Sequence, residues 1–262
     1  MPRIRAVVFD LAGTVCDRYS LAPAFAFKNL FQMFGITCSM RTIRAPMGKA
    51  KRDHLSSILF DPTIHADWRA LYKRNPSEND VERLYQEFIP VQLATITKHA
   101  KIIDGADKIF KTLRGRGVKI GATTGYPKEI VDVLSPLLEE QGLEFDTIVA
   151  TDEVENGRPY PDMIFENMKR LEIDNASEVL KVDDCSFGIL EGIKAKCFTL
   201  GVSAYSNHVG IDSVQEALGI TSESLQVKRN NASNILRNAG ADYIVDTIES
   251  LPEVLYDLKY RK

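Results

Sequence analysis

Four chemically active residues stand at or near the ends of short apolar runs: Asp10, Thr124, Arg158 and Asp184. Phe9-Asp10-Leu11-Ala12-Gly13-Thr14 sets an acid directly after a strand-like run and before a glycine turn, where it can meet a ligand. Alone, such a DxxGT stretch reads as a strand-ending acid that caps a helix. Thr123-Thr124-Gly125 ends a second run with a hydroxyl and backbone N–H groups suited to a phosphoryl oxygen. Gly157-Arg158-Pro159-Tyr160-Pro161 puts a cation just before a helix with proline near its first turn, and Val182-Asp183-Asp184 ends a further run in two acids. Hard oxygen donors of this kind suit Mg²⁺ and not zinc.

A second constellation is Pro46-Met47-Gly48-Lys49-Ala50-Lys51-Arg52-Asp53-His54. A solvated basic face explains most such clusters taken alone. Met47, Lys51 and His54 fall at i, i+4 and i+7, so a helix is expected to present them together. Lys49 and Arg52 would then lie on other faces, and their like charge is expected to depress the pKa of Lys51. A free lysine is only ~0.1% neutral near neutral pH, so a fall of several units is needed before it attacks a carbonyl.

Positioning these groups calls for a sheet. Ile4–Asp10, Val118–Thr124, Phe145–Thr151, Val179–Asp184, Cys197–Val202 and Asp242–Asp246 are short, rich in Val and Ile, and apolar on both faces, as covered parallel strands are. Helical patterns at Gly105–Gly115, Lys128–Gln141 and Pro161–Leu171 alternate with them, which predicts an α/β, doubly wound parallel sheet. Between the first two strands, helical periodicity runs without a strand: Leu21–Phe34, one or two helices in Ile43–Phe60, and Val81–Ile96. A crossover that long is a domain in its own right, so a helical cap is expected over 18–99, with the core at 1–17 and 100–262. It leaves the carboxyl end of strand one, where open α/β folds keep their sites. The Asn-, Ser- and Lys-rich stretch from Ser203 to Gly240 reads as a surface excursion with one or two helices.

Asp10-x-Ala12-Gly13-Thr14, Thr124-Gly125, Arg158 and Asp184, in that order, resemble the four motifs of the haloacid dehalogenase superfamily. That resemblance implies an Asp10 nucleophile that forms an aspartyl-phosphate, and Mg²⁺ held by Asp10, the Ala12 carbonyl oxygen and Asp184. It also implies Thr124, Gly125 and Arg158 on phosphoryl oxygens. Most members carry a second acid two residues after the nucleophile, as general acid for an alcohol leaving group; here that position is Ala12. Without a proton donor an ordinary phosphomonoesterase is disfavoured. A carbon leaving group needs none if its electrons can pass into an iminium. The Pro46–His54 stretch resembles the cap motif of the phosphonoacetaldehyde hydrolase (phosphonatase) family, whose Schiff-base lysine matches Lys51. Thr123-Thr124-Gly125-Tyr126 and Gly157–Pro161 are similar to that family as well. Implied are C–P bond hydrolysis of a small phosphonate, Met47, His54 and Tyr126 beside the substrate, and a homodimer formed through the cap. Ser20 stands where some of these enzymes have cysteine, and Gly188 where the fourth motif usually has an acid, a loss Asp183 is expected to offset. Lys196 replaces a glycine common at its turn, and His65, His99 and His208 are expected to be structural.

Two other readings remain at this stage: a phosphatase of the same superfamily acting on a small phosphate ester, and a non-catalytic binding protein on the same fold. A net charge of -3 over 262 residues gives no reason to expect nucleic acid or an anionic membrane as partner. The four cysteines form no CxxC pair and read as reduced thiols. The start MPRIRAVVFD lacks the apolar region of a signal peptide, and no 18-residue apolar run occurs, so a cytoplasmic protein is expected. On that expectation the sequons at Asn175 and Asn231 are chance matches.

Overall fold

The computed structural model describes residues 4–260. Its strands are β1 (Ala6–Phe9), β2 (Lys119–Thr124), β3 (Thr147–Ala150), β4 (Val179–Asp183), β5 (Phe198–Val202) and β6 (Tyr243–Val245). They form one sheet in the order β3-β2-β1-β4-β5-β6, with every neighbouring pair parallel. All six expected strands are present, each shorter by one to three residues. The residues of β1 and β4 are buried throughout; β1 is apolar on both faces, whereas β4 sets Leu180 and Val182 on one face and Lys181 and Asp183 on the other. Strand order reverses at β1 and β4, and the crevice outside their carboxyl ends is where such sheets bind ligands. Asp10 and Asp184 follow those two ends directly.

Five helices between β1 and residue 100 make up the helical segment: α1 (Leu21–Met33), α2 (Met40–Arg44), α3 (Lys51–Leu59), α4 (Pro62–Tyr72) and α5 (Glu78–His99). The last starts at a capping box between Ser77 and Asp80. Helix α4 was not anticipated, although Asp61-Pro62 is a start signal: the Asp61 carboxylate accepts from the Thr63 N–H at 3.0 Å, with proline in the first turn. Aromatic residues of α1 form the centre of this segment. Phe27 stacks on Phe88 with ring centroids 4.6 Å apart, and Phe31 and Trp68 are fully buried.

The remaining helices flank the sheet: α6 (Ala106–Gly115), α7 (Lys128–Glu139), α8 (Asp162–Arg170), α9 (Ser186–Lys194), α10 (Val214–Gly219), α11 (Ser222–Asn238) and α12 (Leu251–Tyr260). The stretch after β5 differs from expectation at its start. Ser203, Ser206 and Asn207 are buried, not surface residues: Ser203 bonds Val245 and Asp246 at the end of β6, and Ser206 and Asn207 bond the end of β4 and the helical segment. Lys196 sits at φ 62°, a left-handed conformation that favours glycine.

Candidate active site

Eight of the expected residues bound one small cavity of about 20 Å³, room for roughly one water molecule. Asp10, Thr124, Gly125, Tyr126 and Arg158 come from the carboxyl ends of the sheet and Lys51 from α3; Ala12 and Met47 also line it. The approach between the two parts is close. A Cβ on Gly125 would stand 2.4 Å from the Lys49 carbonyl oxygen, so only glycine fits there.

Asp10 is buried, and its Oδ1 accepts from Arg158 Nη1 at 2.8 Å. Burial, helped by the nearby Asp183 charge and opposed by Arg158 and Lys181, raises its pKa to about 6. Asp184 is held well above the usual carboxylate range by burial and by Asp10 and Asp183. The turn after β1 wraps it: Thr14 Oγ1 donates to its Oδ1 at 3.3 Å, and the Asn207 N–H donates to its Oδ2 at 2.7 Å. The Ala12 carbonyl oxygen accepts from Ser20 Oγ at 3.1 Å. Ser20 reaches it from a linker in which Asp17, Tyr19 and Ser20 all have φ between 48° and 65°. Left-handed backbone of that kind persists only where surrounding contacts enforce it.

A buried ion network lies behind Asp10, and sequence reasoning missed most of it. Arg158 donates through Nε to Glu191 at 2.9 Å and through Nη2 to the Thr123 carbonyl and hydroxyl oxygens, each at 2.7 Å. Lys181 Nζ lies 3.1 Å from Asp183, 3.4 Å from Glu191 and 2.7 Å from the Thr123 hydroxyl. One signal was available: a lone lysine inside the apolar run VLKVDD demands a buried acid as partner. Four buried carboxylates (Asp10, Asp183, Asp184, Glu191) thus face two buried cations in the network (Arg158, Lys181), with Lys51 across the cavity as a third, which leaves a deficit of positive charge. That deficit and the oxygen donor set of Asp10, Ala12 and Asp184 fit one divalent cation such as Mg²⁺.

The absence of an acid at residue 188 has a spatial explanation. A Cβ there would stand 1.8 Å from Asp183 Oδ2, so the Asp183 carboxylate occupies the space a side chain at 188 would take.

Lys51 differs from expectation in its setting. Helix α3 begins at Lys51, so Met47 does not share a helix with it; Met47 sits in the preceding turn, where Gly48 has φ 98°. Lys51 and Met47 still meet at the cavity because that turn folds back over the sheet ends. The Lys51 amine is buried over the Tyr126 ring, 4.6 Å from its centroid, with Phe27 at 5.7 Å. Its pKa is lowered to about 8, and burial is the main cause; Asp10 opposes this and Arg158 adds to it. The positive end of α3 acts in the same direction. Lys49 and Arg52 are not the cause: Lys49 bonds Ser57 Oγ at 3.1 Å, and Arg52 pairs with Glu78 and Glu82.

His54 lies outside the cavity lining. It is fully buried, with Nε2 2.7 Å from the Ile43 carbonyl oxygen and its ring 3.8 Å from that of Phe27. Burial and the Lys51 charge hold its pKa well below the ordinary histidine value. Tyr126 does line the cavity; its buried hydroxyl has no hydrogen-bond partner among the described residues, and burial pushes its pKa well up. Of the other histidines, His208 lies 3.3 Å from Ser186 Oγ and His99 3.8 Å from Asp17. All four cysteines are free thiols.

A family model described as haloacid dehalogenase-like hydrolase matches residues 7–202. The phosphonoacetaldehyde hydrolase of Paraburkholderia xenovorans (strain LB400) is 36% identical over 261 residues, covering 100% of this chain and 97% of that protein. The protein of the same name from Pseudomonas fluorescens (strain Pf0-1) is 36% identical, with 99% and 94% covered. Among solved structures, a phosphonoacetaldehyde hydrolase-like protein from Oleispira antarctica superposes with a TM-score of 0.95 at 34% identity, over 99% of this chain and 94% of that one. A β-phosphoglucomutase from Clostridium difficile, 24% identical with a TM-score of 0.64 over 87% of this chain and 97% of that one, shares the fold alone. The chain belongs to the haloacid dehalogenase-like hydrolases and, within them, to the phosphonoacetaldehyde hydrolase family.

Proposed function

We propose that this chain hydrolyses the C–P bond of phosphonoacetaldehyde to acetaldehyde and phosphate. The observation that carries the reading is a buried amine of lowered pKa sharing one small cavity with a buried carboxylate, where residue 12 supplies no acid. With a pKa of about 8, roughly a tenth of Lys51 is neutral at pH 7, against about 0.03% at the ordinary value. The neutral amine adds to the aldehyde carbon and loses water to give an iminium. The P–C bond then breaks: its electron pair passes into the iminium to form an enamine, while an Asp10 carboxylate oxygen takes the phosphoryl group. Thr124, Gly125 and Arg158 hold the phosphoryl oxygens during transfer. Protonation of the enamine at carbon and hydrolysis release acetaldehyde and regenerate Lys51. Water finally cleaves the aspartyl-phosphate.

Asp10, the Ala12 carbonyl oxygen and Asp184 would hold Mg²⁺, which when bound neutralises charge on the phosphoryl oxygens. Ser20 orients the Ala12 carbonyl oxygen, and Met47 and Tyr126 wall off the amine from water. His54 acts from behind Lys51, holding the α1–α3 contact through Phe27. Residues 18–99 are the cap and 1–17 with 100–262 the core. A cytoplasmic homodimer belongs to the same proposal, and exposed Met33 and Leu71 on the helical segment support a dimer face there. Among the described residues no helix is long and apolar enough to cross a membrane.

The test is phosphate release from phosphonoacetaldehyde set against a panel of sugar phosphates, with Mg²⁺ and after EDTA. Metal-dependent release from phosphonoacetaldehyde alone is expected. Faster release from a sugar phosphate would replace the reading with an ester phosphatase.

A further inference from the structure

One arginine ties the helical segment to the sheet. Arg44, the last residue of α2, is buried, and its guanidinium reaches four acceptors. Nη1 donates to the Tyr19 carbonyl oxygen at 2.7 Å and to Asn207 Oδ1 at 2.9 Å, Nε to Asp212 Oδ1 at 2.8 Å, and Nη2 to the Ile211 carbonyl oxygen. Asn207 returns a bond from Nδ2 to the Arg44 carbonyl oxygen at 3.1 Å. The backbone N–H of the same Asn207 donates to Asp184 Oδ2 at 2.7 Å, and neighbouring Ser206 Oγ donates to the Asp184 carbonyl oxygen at 2.7 Å. Arg44 therefore joins the linker after β1, the helical segment and the loop that orients Asp184. Lys51 follows it seven residues later in the chain.

The cavity at Lys51 admits roughly one water, so a substrate bearing both a phosphonate and an aldehyde enters only when the helical segment moves off the sheet. A specific contact must then seat that segment again. We propose that Arg44 is a positioning residue that seats Lys51 over Asp10 and, through Asn207, fixes the orientation of Asp184, so that one side chain aligns both halves of the site. A guanidinium suits this work because its rigid fork of donors spans acceptors that a lysine ammonium cannot reach together. The catalytic part of the claim rests on the function proposed above; the seating part does not.

Cys185 reports the seating. It is buried, and a Cβ on Gly48 of the Lys51 turn would stand 3.2 Å from its own Cβ. Arg44→Lys and Asn207→Ala break the contact from opposite sides. In the absence of substrate, N-ethylmaleimide labelling with peptide mass spectrometry measures each cysteine separately. Cys185 should label about ten-fold faster or more in both variants, with Cys38 and Cys197 unchanged. In phosphate release from phosphonoacetaldehyde, kcat should fall by a similar factor while KM moves less. Unchanged Cys185 labelling in both variants overturns the proposal. So does a uniform acceleration at Cys38, Cys185 and Cys197, because that is general loosening and not an unseated segment. If the wild type releases no phosphate from phosphonoacetaldehyde, the proposed function falls, and the seating role is decided by the cysteine rates alone.

Discussion

Lys181 and Lys51 are both buried, one in β4 and one at the first turn of α3, and their surroundings are opposite. Lys181 has Asp183 and Glu191 within 3.4 Å and a hydroxyl at 2.7 Å. Lys51 has two aromatic rings and, among the described residues, no acid within ion-pair distance. The first environment satisfies a permanent charge and makes the floor behind Asp10 rigid. The second penalises a charge, so the amine spends part of its time neutral and able to attack a carbonyl. Burial alone does not make a lysine reactive; burial without an anion does.

The largest effects come from removing the chemistry on either side. Lys51→Arg keeps the charge but cannot form an imine, and Asp10→Asn keeps the shape but cannot accept the phosphoryl group. Each should lower phosphate release from phosphonoacetaldehyde by several orders of magnitude with an unchanged circular dichroism spectrum. Activity above a few per cent in either purified variant would remove that residue from its role.

Stability separates the two lysines more sharply. Lys181→Met leaves Asp183 and Glu191 to share the single cation Arg158 and should cost about 3–5 kcal/mol, lowering Tm by about 10 °C or more. Lys51→Met removes a buried charge that lacks an anion, so its Tm at pH 7 should equal or exceed the wild type. A Lys51→Met protein as unstable as Lys181→Met would mean that Lys51 has a structural partner after all.

Titration gives a smaller effect with a definite sign. The Lys51 pKa is about 8 in the folded protein, below its ordinary 10.5. Between those values the unfolded chain binds more protons, so this group adds stability as pH rises from about 8 towards 10.5. Below pH 8 its full destabilising contribution is present. Urea denaturation at pH 7 and pH 10 should show the wild type gaining on Lys51→Met at the higher pH. A constant difference would place the pKa of Lys51 at the ordinary value.

The smallest expected effect concerns Lys49. Like-charge repulsion was the natural reading of three basic residues in four positions, yet Lys49 points to Ser57 and to the Phe187 ring. Lys49→Glu should therefore leave the pH profile of Lys51 nearly in place. A marked upward shift would restore repulsion as the cause.

How much of this was legible in the sequence follows from what each feature depends on. Asp10, Thr124 and Asp184 were readable because a strand ends locally, and a polar residue after an apolar run marks the end of the sheet. The helical segment was readable from its length and periodicity. Its internal break was not, since Met47 and Lys51 keep helical spacing across a turn that only Gly48 hints at. Partners distant in sequence were out of reach. Arg158 meets Asp10 across 148 positions, and Arg44 meets Asn207 across 163, with no local pattern joining them. The exchange of carboxylates between Asp183 and position 188 was suspected from adjacency, but the space Asp183 fills became visible only in three dimensions.

The most direct test of the central claim is borohydride reduction in the presence of phosphonoacetaldehyde, followed across pH and mapped by peptide mass spectrometry. An unpartnered, buried amine predicts irreversible inactivation with one alkylated residue, Lys51, and an initial trapping rate that rises with pH through about 8 before levelling. Labelling at Lys49, or trapping at Lys51 that keeps rising towards pH 10, would contradict it.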